Sequence, residues 1–227
     1  MEYGKVIRGE FLSRPNRFIA KVMIGGEETV VHVKNTGRCR ELLIPGAEVY
    51  LEEASNPNRK TKYDLIAVRK SNGVLFNIDS QAPNAVVKEW LERQHIDKIV
   101  PEYRFGDSRI DFYLENGGQK MLIEVKGCTL ERGGIGYFPD APTERGVKHL
   151  HELIKARKEG YAAAIAFVMQ ADGMKKVLPN DETHPAFGEA LREAQAAGVK
   201  VLYLPCHVEP DSLGETYPCE IERSIRL

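Results

Sequence analysis

Residues 109–126 read RIDFYLENGGQKMLIEVK, and this stretch decides the fold of the second half of the chain. Gly117-Gly118 stands between two alternating segments, the pattern of a β-hairpin with a two-residue turn. Counting outward from that turn predicts which residues oppose one another, because strand side chains alternate between two faces. One face is then wholly apolar, with Ile110 opposite Val125, Phe112 opposite Ile123 and Leu114 opposite Met121.

The other face of this hairpin carries charge. Asp111 is opposite Glu124, and Arg109 is opposite Lys126. Directly opposed carboxylates repel one another, and a divalent ion such as Mg²⁺ or Mn²⁺ between their oxygens would remove that cost. We therefore predict a metal site at Asp111 and Glu124, with Lys126 beside it as a third catalytic residue acting on a phosphate. The alternative interpretation is that Lys126 or Arg109 forms ordinary salt bridges with the two acids.

An acid on one hairpin strand followed by Glu124-Val125-Lys126 on the next resembles the PD-(D/E)xK nuclease core. The sequence departs from that pattern before Asp111, where Arg109-Ile110 stands in place of the frequent proline. The resemblance implies a further acid upstream. Spacing does not choose among Glu89 and Glu92 in a predicted helix and Glu102 in a predicted strand.

A second charged stretch follows at residues 138–150. Pro142-Thr143-Glu144 is a helix start, with Thr143 or Asp140 as the cap. The helix has two interpretations: a solvated charged face, or a face that places Glu144 or Lys148 at the mouth of the hairpin site. The supporting residues that we predict are Glu102, Glu144, Arg145 and His149. Gly133-Gly134-Ile135-Gly136 is predicted to be a mobile loop that admits substrate, and the absence of a Walker lysine excludes a nucleotide-binding loop.

The hairpin belongs to a region with α/β character, residues 81–227. Helical periodicity covers residues 84–94, 143–159 and 182–197, and strand patterns cover 98–105, 108–114, 119–127, 161–169 and 199–204. This order predicts a mixed-sheet α/β domain. Residues 206–227 show no clear pattern.

Residues 1–80 have a different character, with six short strand patterns and no helical stretch. The strands are predicted at residues 5–13, 17–24, 28–34, 47–53, 62–70 and 73–78. Six short strands in this length favour a small closed barrel of the OB type, and an SH3-like barrel would give a similar pattern.

The predicted barrel carries residues suited to nucleic acid. Arg38 and Arg40 lie in the turn-rich segment 35–46, where they either bind phosphate or belong to an ordinary surface turn. Phe11 and Phe18 either stack on bases or belong to the core. The predicted nucleic-acid contacts are Arg8, Arg14, Arg17, Lys34, Asn35, Arg38 and Arg40.

Composition limits the classes of function. The chain has 227 residues and a net charge of −1, which excludes a strongly basic histone-like binder. The apolar run at residues 161–169 is far shorter than the roughly 20 residues of a membrane helix. No apolar segment follows the N-terminus, and the four cysteines form no CxxC pair, so we expect a cytoplasmic protein with reduced thiols. Cys206-His207 and Cys219 lack an evident fourth ligand for zinc.

Four stretches of the chain resemble the sugar fermentation stimulation protein (SfsA) family. They are residues 32–38 (HVKNTGR), 108–112 (SRIDF), 123–130 (IEVKGCTL) and 138–150 (FPDAPTERGVKHL). The resemblance implies an N-terminal OB-fold, a C-terminal nuclease-like domain, DNA binding and a poorly defined link to sugar-metabolism regulation.

These observations predict a DNA-binding protein with a divalent-metal-dependent nuclease site. Binding is expected to be largely independent of sequence, since no helix-turn-helix pattern is present. The expected partner is DNA, with single-stranded and branched forms as the candidates. The alternatives are a non-catalytic DNA-binding regulator of sugar metabolism and a structural protein with ordinary salt bridges.

Overall fold

The computed structural model describes residues 1–35, 37–56 and 58–216. The first unit of the protein is a β-barrel. Its sheet has the order β3-β2-β1-β4-β5-β6, and a parallel pairing of β3 with β5 closes it. The OB-type barrel is therefore confirmed. Its strands are β1 (Val6–Asn16), β2 (Ile19–Ile24), β3 (Glu27–Val33), β4 (Glu48–Glu53), β5 (Tyr63–Arg69) and β6 (Leu75–Asn77).

Alternation and turn chemistry produce these strands. Gly25 and Gly26 adopt φ angles of +58° and +90° between the paired residues Ile24 and Glu27, a conformation that glycine adopts without strain. Alternate residues of each strand fill the barrel. Among its fully buried apolar residues are Val22, Val31, Val49, Leu51 and Leu65.

The second unit is a mixed-sheet α/β domain, as predicted. Its main sheet has the order β15-β14-β12-β9-β8-β7, in which β12 pairs in parallel with both β9 and β14. Its helices are α1 (Ala82–Glu92), α2 (Glu144–Lys158) and α3 (Pro185–Ala196). Its strands are β7 (Lys98–Phe105), β8 (Ser108–Asn116), β9 (Gln119–Cys128), β10 (Leu130–Arg132), β11 (Ile135–Phe138), β12 (Ala162–Met169), β13 (Lys176–Pro179), β14 (Lys200–Glu209) and β15 (Ser212–Glu215).

The main sheet is covered on both faces. Trp90 and Val87 of α1 share one apolar cluster with Phe112 and Ile123 of the central hairpin. Helices α2 and α3 cover the opposite face, where a second cluster contains Tyr113 and Leu122 of the hairpin and Leu150, Leu153 and Phe187 of the helices. Strands β8 and β9 therefore lie in the middle layer, with a helix on each side.

The hairpin register is confirmed from Phe112 to Asn116, but the predicted pairs of Asp111 with Glu124 and of Arg109 with Lys126 are not part of it. Gly117 and Gly118 form the turn, and the pairs run from Asn116 with Gln119 to Phe112 with Ile123. Ile110 does not lie on the predicted apolar face. It packs with Tyr113 in the cluster on the opposite side of the sheet. The simple alternation of β8 is therefore interrupted at Asp111.

The sequence analysis missed a second, three-stranded sheet of order β10-β11-β13. Gly133 and Gly134 form the turn of the β10–β11 hairpin, in which Arg132 pairs with Ile135. The prediction of a mobile loop over residues 133–136 is therefore wrong, because Ile135 and Gly136 belong to β11.

The barrel and the α/β domain are joined by specific polar contacts. Gln170 donates to Asn77 Oδ1 at 2.9 Å and to the Asp79 carbonyl at 3.0 Å. Asp140 accepts from the Arg38 amide at 2.8 Å. A further ion pair joins Lys70 to Glu131 at 2.7 Å. In the described part of the chain, no helix has both the length and the apolar character needed to cross a membrane.

Candidate functional site

The hairpin strands β8 and β9 bring the three predicted catalytic residues together. Glu124 is 1% exposed, and Lys126 follows it by two residues in β9. The Asp111 carboxylate, from β8, accepts from the backbone amide of Val125 at 2.7 Å. The two acids therefore lie beside one another at the point where the paired register of the hairpin ends.

The two carboxylate oxygens of Glu124 have different surroundings. Oε1 accepts hydrogen bonds from Lys126 Nζ and from His149 Nδ1. Oε2 is buried and has no hydrogen-bond partner among the described residues. An unpaired buried carboxylate oxygen is costly, so this atom is available to a ligand that can replace its lost hydration.

Helix α2 supplies the residue that orients Glu124. His149 is buried, and its Nε2 accepts from Arg145 Nε at 3.3 Å, one helical turn away. Because Nε2 is an acceptor, the ring proton lies on Nδ1 and is donated to Glu124 Oε1. Arg145, His149 and Glu124 thus form one line of contacts from the surface of α2 to the sheet.

Electrostatics differ between the two acids. Burial and the nearby charge of Glu124 raise the pKa of Asp111 above its usual range. Burial also acts to raise the pKa of Glu124, but the His149 hydrogen bond and the Lys126 charge outweigh it and lower that pKa. One ionised carboxylate therefore stands beside another whose ionisation is opposed, which is the electrostatic situation that a bound cation relieves.

This pair of acids suits a hard divalent cation. No group of three or more His, Cys, Asp or Glu side chains in the described ranges is arranged to hold a metal ion. Mg²⁺ is nevertheless commonly held by one or two carboxylates, with waters and substrate oxygens completing its shell. Asp111 and the unpartnered Oε2 of Glu124 provide such a pair.

The salt-bridge interpretation describes part of the site. Lys126 does pair with Glu124. Arg109 pairs instead with Glu102, at 3.3 Å between exposed side chains. Asp111 accepts neutral hydrogen bonds from the Val125 amide and from Asn84 Nδ2 at 2.9 Å. The pairing of Lys126 with Glu124 therefore leaves the Asp111 carboxylate without a neutralising cation in direct contact among the described residues.

The charged face predicted for α2 does not place Glu144 or Lys148 at the hairpin site. Glu144 is exposed and pairs with His184 at 3.0 Å, and Lys148 donates to the Asp107 carbonyl. His149 makes the contact with the site instead, because it lies on the buried side of the helix.

The upstream acids also have other partners. Glu89 pairs with the N-terminal amine of Met1, and Glu92 pairs with Lys88. Glu102 has a φ of +52°, a strained conformation for a residue other than glycine, and it pairs with Arg109 as described above. Helix α1 contributes the amide of Asn84 rather than an acid, and the sequence analysis missed this residue.

Three of the predicted nucleic-acid residues form a basic surface. Arg17, Arg38 and Arg40 are exposed, and in the described ranges none of them forms an ion pair. With Arg14 they line a depression of about 540 Å³, which also contacts Ala141 and Pro142. We call this depression the basic groove. It lies where the barrel meets the α/β domain.

Four other predicted contacts have different roles. Arg14 donates to the carbonyls of Asn35, Gly37, Arg38 and Arg17, so it supports the loop rather than offering a free cation. Asn35 donates to the Ile78 carbonyl, and Lys34 pairs with Glu52, Asp64 and Asp79. Arg8 is exposed and pairs with Glu48.

Of the two aromatic candidates, one belongs to the barrel core and the other is exposed. Phe11 is buried in the barrel core. Phe18 is 51% exposed, and the Arg17 guanidinium lies 6.0 Å from its ring centroid. Phe18 therefore presents an exposed aromatic ring beside Arg17, which lines the basic groove.

The candidate zinc ligands have other environments. His207 pairs with Asp172 at 2.9 Å and Glu209 at 2.8 Å, and Cys206 is buried. Cys219 lies outside the described residues. Within residues 1–216, the surroundings of Cys206 and His207 give no support to a zinc site.

Comparison with known proteins identifies both units. Residues 12–78 match the family described as the SfsA N-terminal OB domain, and residues 81–212 match the family described as the sugar fermentation stimulation protein RE domain. A sugar fermentation stimulation protein homolog from Desulfitobacterium hafniense is 56% identical over 94% of each chain. A homolog from Clostridium beijerinckii is 51% identical, over 94% of this chain and 96% of its own.

A solved structure agrees with these sequence matches. The structure of Pyrococcus furiosus SfsA in complex with Ca²⁺ superimposes with a TM-score of 0.84 at 31% identity, over 95% of this chain and 96% of the other. The same barrel and α/β domain thus occur together in that relative. The chain belongs to the sugar fermentation stimulation protein (SfsA) family.

Proposed function

We propose that this protein is a divalent-metal-dependent nuclease that acts on DNA, with Asp111, Glu124 and Lys126 at its centre. The observation that carries the proposal is the buried Oε2 of Glu124, which has no partner in the described chain. The other oxygen of the same carboxylate is held by Lys126 and His149, so the side chain is fixed with one oxygen free. This is the arrangement expected of a pre-organised metal ligand.

The metal that fits this pair is a hard cation. The Pyrococcus furiosus relative is described in complex with Ca²⁺, which supports a divalent ion in this family. Mg²⁺ and Mn²⁺ favour the same oxygen ligands. When bound, the ion would polarise a phosphate oxygen and increase the acidity of a water molecule.

The chain itself supplies the remaining chemistry. Lys126 is partly exposed beside Glu124, so its ammonium group can stabilise the negative charge that develops on a phosphate during cleavage. Arg145 and His149 keep the Glu124 carboxylate in one orientation. Asn84 does the same for Asp111, through its side-chain amide.

DNA is proposed to bind through the basic groove. Arg17, Arg38 and Arg40 can contact phosphates, which carry no sequence information, so binding should be largely independent of sequence. We also propose a cytoplasmic location, which the free thiols of Cys39 and Cys128 support.

The test is a cleavage assay with purified protein. Single-stranded, duplex and branched DNA are incubated with Mg²⁺, with Mn²⁺ or with a chelator. The proposal predicts cleavage of at least one DNA with metal, no cleavage with chelator, and no cleavage by the Glu124→Gln variant. The Glu209→Gln variant is the matched control, because Glu209 is exposed at the end of β14 and should cleave like wild type.

Two results would contradict the proposal. If the protein binds DNA but cleaves none of these substrates with either metal, it is a non-catalytic DNA-binding regulator on a nuclease scaffold. If Glu124→Gln cleaves as fast as wild type, the activity comes from another site or from a contaminant.

A further inference from the structure

We infer that a second compartment, at the end of the strand that carries Glu124, accepts an unpaired nucleotide, so that the substrate is a single strand or a frayed DNA end. The inference rests on the proposed nuclease function and adds its substrate class. The compartment is a cleft of about 340 Å³, which we call the inner cleft. The residues that matter here are Arg17 and Ser80 from the barrel, and Gly127, Tyr137, Phe138 and Gln170 from the α/β domain.

The inner cleft is continuous with the basic groove. Arg17, Gly37, Ala141 and Pro142 line both depressions. A strand whose phosphates contact Arg38 and Arg40 can therefore pass Arg17 into the inner cleft without leaving the protein surface.

The inner cleft lies at the end of β9, the strand that carries Glu124 and Lys126. Gly127, which directly follows Lys126 in β9, lines it, and so does Gln170, which directly follows β12. Strands β9 and β12 are parallel, and both end here. Ligands of open α/β sheets bind in this position, outside the carboxyl ends of the strands.

The chemistry of the inner cleft fits a nucleotide rather than a multiply charged group. Arg17 is the one cation among its described lining residues. Its aromatic lining residues are Tyr137 and the half-buried Phe138, whose ring packs on Phe167 and Phe187. The Asp140 carboxylate is already engaged, since it accepts from the Arg38 amide at 2.8 Å. A base can stack on an aromatic ring while one phosphate contacts Arg17.

The volume of the inner cleft suits a single nucleotide. A volume of about 340 Å³ is near the lower end of small-ligand sites, which span about 300–1,000 Å³. The walls come from two units that are joined by Gln170 to Asn77 and by Lys70 to Glu131. These contacts hold the two walls together, which favours one unpaired nucleotide over the end of a duplex.

Binding of fluorescent DNA in chelator tests the inference without any cleavage. A single strand and a blunt duplex of the same sequence are compared with wild type and with the Ala141→Trp variant. Ala141 lies at the junction of the two depressions, so a bulky side chain should obstruct the passage. We expect wild type to prefer the single strand, and Ala141→Trp to weaken single-strand binding about tenfold, the loss of about one stacked base.

Two matched controls accompany this variant. Ala196→Trp adds the same bulk at an exposed position at the end of α3, and it should bind like wild type. Arg17→Ala should weaken single-strand binding. Arg8→Ala should leave it unchanged, because Arg8 lies in β1 and lines neither depression. If Ala141→Trp fails to fold, the comparison of Arg17→Ala with Arg8→Ala still tests the inference.

The outcomes separate this inference from the nuclease proposal. Equal affinity for duplex and single strand, or unchanged single-strand affinity in both Ala141→Trp and Arg17→Ala, overturns the inference even if the protein cleaves DNA. Preferential binding of the single strand that both variants weaken supports it, even if no cleavage is found with Mg²⁺ or Mn²⁺.

Discussion

Glu124 is the residue on which the candidate site depends. Its carboxylate is buried, one oxygen is bonded to Lys126 and His149, and the other has no described partner. Burying a charge in this way is costly unless its remaining lone pairs are used. The adjacent Asp111, whose pKa burial raises, adds to that cost. The folded protein tolerates both acids at the place where a cation would stabilise them.

Replacement of Lys126 and Asp111 should separate metal binding from cleavage. Lys126→Ala should reduce cleavage by about 10²–10³, because an electrostatic stabiliser of the transition state is lost while the metal ligands remain. Asp111→Asn should lose both metal binding and cleavage. DNA binding in chelator should survive in both variants, since the basic groove is unchanged.

Lys120→Ala is the control for this comparison. Lys120 is an exposed lysine of the same strand, β9, and it should be dispensable for cleavage. If Lys126→Ala cleaves as fast as Lys120→Ala, the assignment of Lys126 is wrong.

Arg145 should act as a positioning residue through His149. Arg145→Ala removes the donor to His149 Nε2, so the Glu124 carboxylate should be less well oriented. We expect the metal concentration for half-maximal cleavage to rise about 10-fold. This is the lower end of the loss in metal affinity that follows when a residue bonded to a metal ligand is replaced. Lys158→Ala, at the exposed end of the same helix, should leave that concentration unchanged. An identical metal dependence in the two variants would show that Arg145 has no such role.

At the scale of the elements, the strands of the barrel are joined by a buried charge cluster. Asp64 of β5 accepts two hydrogen bonds from Arg59 at 2.7 Å and one from His32 of β3 at 2.8 Å. Lys34 lies 3.5 Å from the same carboxylate. This cluster explains why Lys34 stabilises the barrel instead of being free to bind phosphate.

Stability should depend on the ionisation of Asp64. Burial acts to raise its pKa, but the hydrogen bonds of Arg59 and His32 and the charge of Lys34 lower it below its usual range. A lowered carboxyl pKa contributes stability above the unfolded value of about 3.9, and that stability is lost as the pH falls through the folded pKa. Asp64→Asn should therefore cost about 2 kcal/mol at neutral pH, with a smaller difference in acid.

Denaturant unfolding of wild type and Asp64→Asn across this pH range measures the effect. Asp181→Asn is the control, because Asp181 pairs with Arg192 on the surface and should cost little. A cost for Asp64→Asn that stays constant down to strongly acidic pH would contradict the assigned ionisation.

At the scale of the whole molecule, the two depressions lie where the barrel meets the α/β domain. The basic groove and the inner cleft both have one wall from the barrel and one from the α/β domain. Gln170 holds the two walls together through Asn77 and Asp79. Arg17 of the barrel therefore lines the same cleft as Gly127 of β9, and Arg38 and Arg40 line the adjoining groove.

The salt dependence of DNA binding should reveal these arginines. Each phosphate contact on a single strand contributes about 0.7 to the slope of log affinity against log salt concentration. Replacing Arg17, Arg38 and Arg40 with alanine should therefore reduce the slope by up to about 2. Titrations at several salt concentrations measure it.

A triple variant at Lys88, Lys158 and Arg192 removes the same charge from exposed helix positions away from the groove. It should keep the wild-type slope. Equal slopes for the two triple variants would show that the groove does not bind the phosphates.

Local signals explain what could be predicted from the sequence. The Gly117-Gly118 turn and the alternation around it determine the hairpin register, which the structure confirms from Phe112 to Asn116. Ile110 departs from it because Asp111 interrupts the alternation, with its side chain bonded to Asn84 and to the Val125 amide.

Long-range contacts explain what could not be predicted. His149 was among the predicted supporting residues, but its bond to Glu124 depends on how α2 crosses the sheet. Asn84 was missed because an amide in the first turn of a helix gives no signal of its distant partner. Strands β10, β11 and β13 have three or four residues each, too few for a periodic pattern, and β11 and β13 pair across a long separation in sequence.

The most direct test of the central claim is a melting experiment with metal and no DNA. If Asp111 and Glu124 hold a divalent ion, Mg²⁺ or Mn²⁺ should raise the Tm of wild type by about 3–6 °C at a concentration about tenfold above Kd. Glu124→Gln should abolish the rise, and Glu209→Gln should retain it. A wild-type Tm that does not change at millimolar metal, or a rise that Glu124→Gln retains, would contradict the claim that these two acids form a metal site.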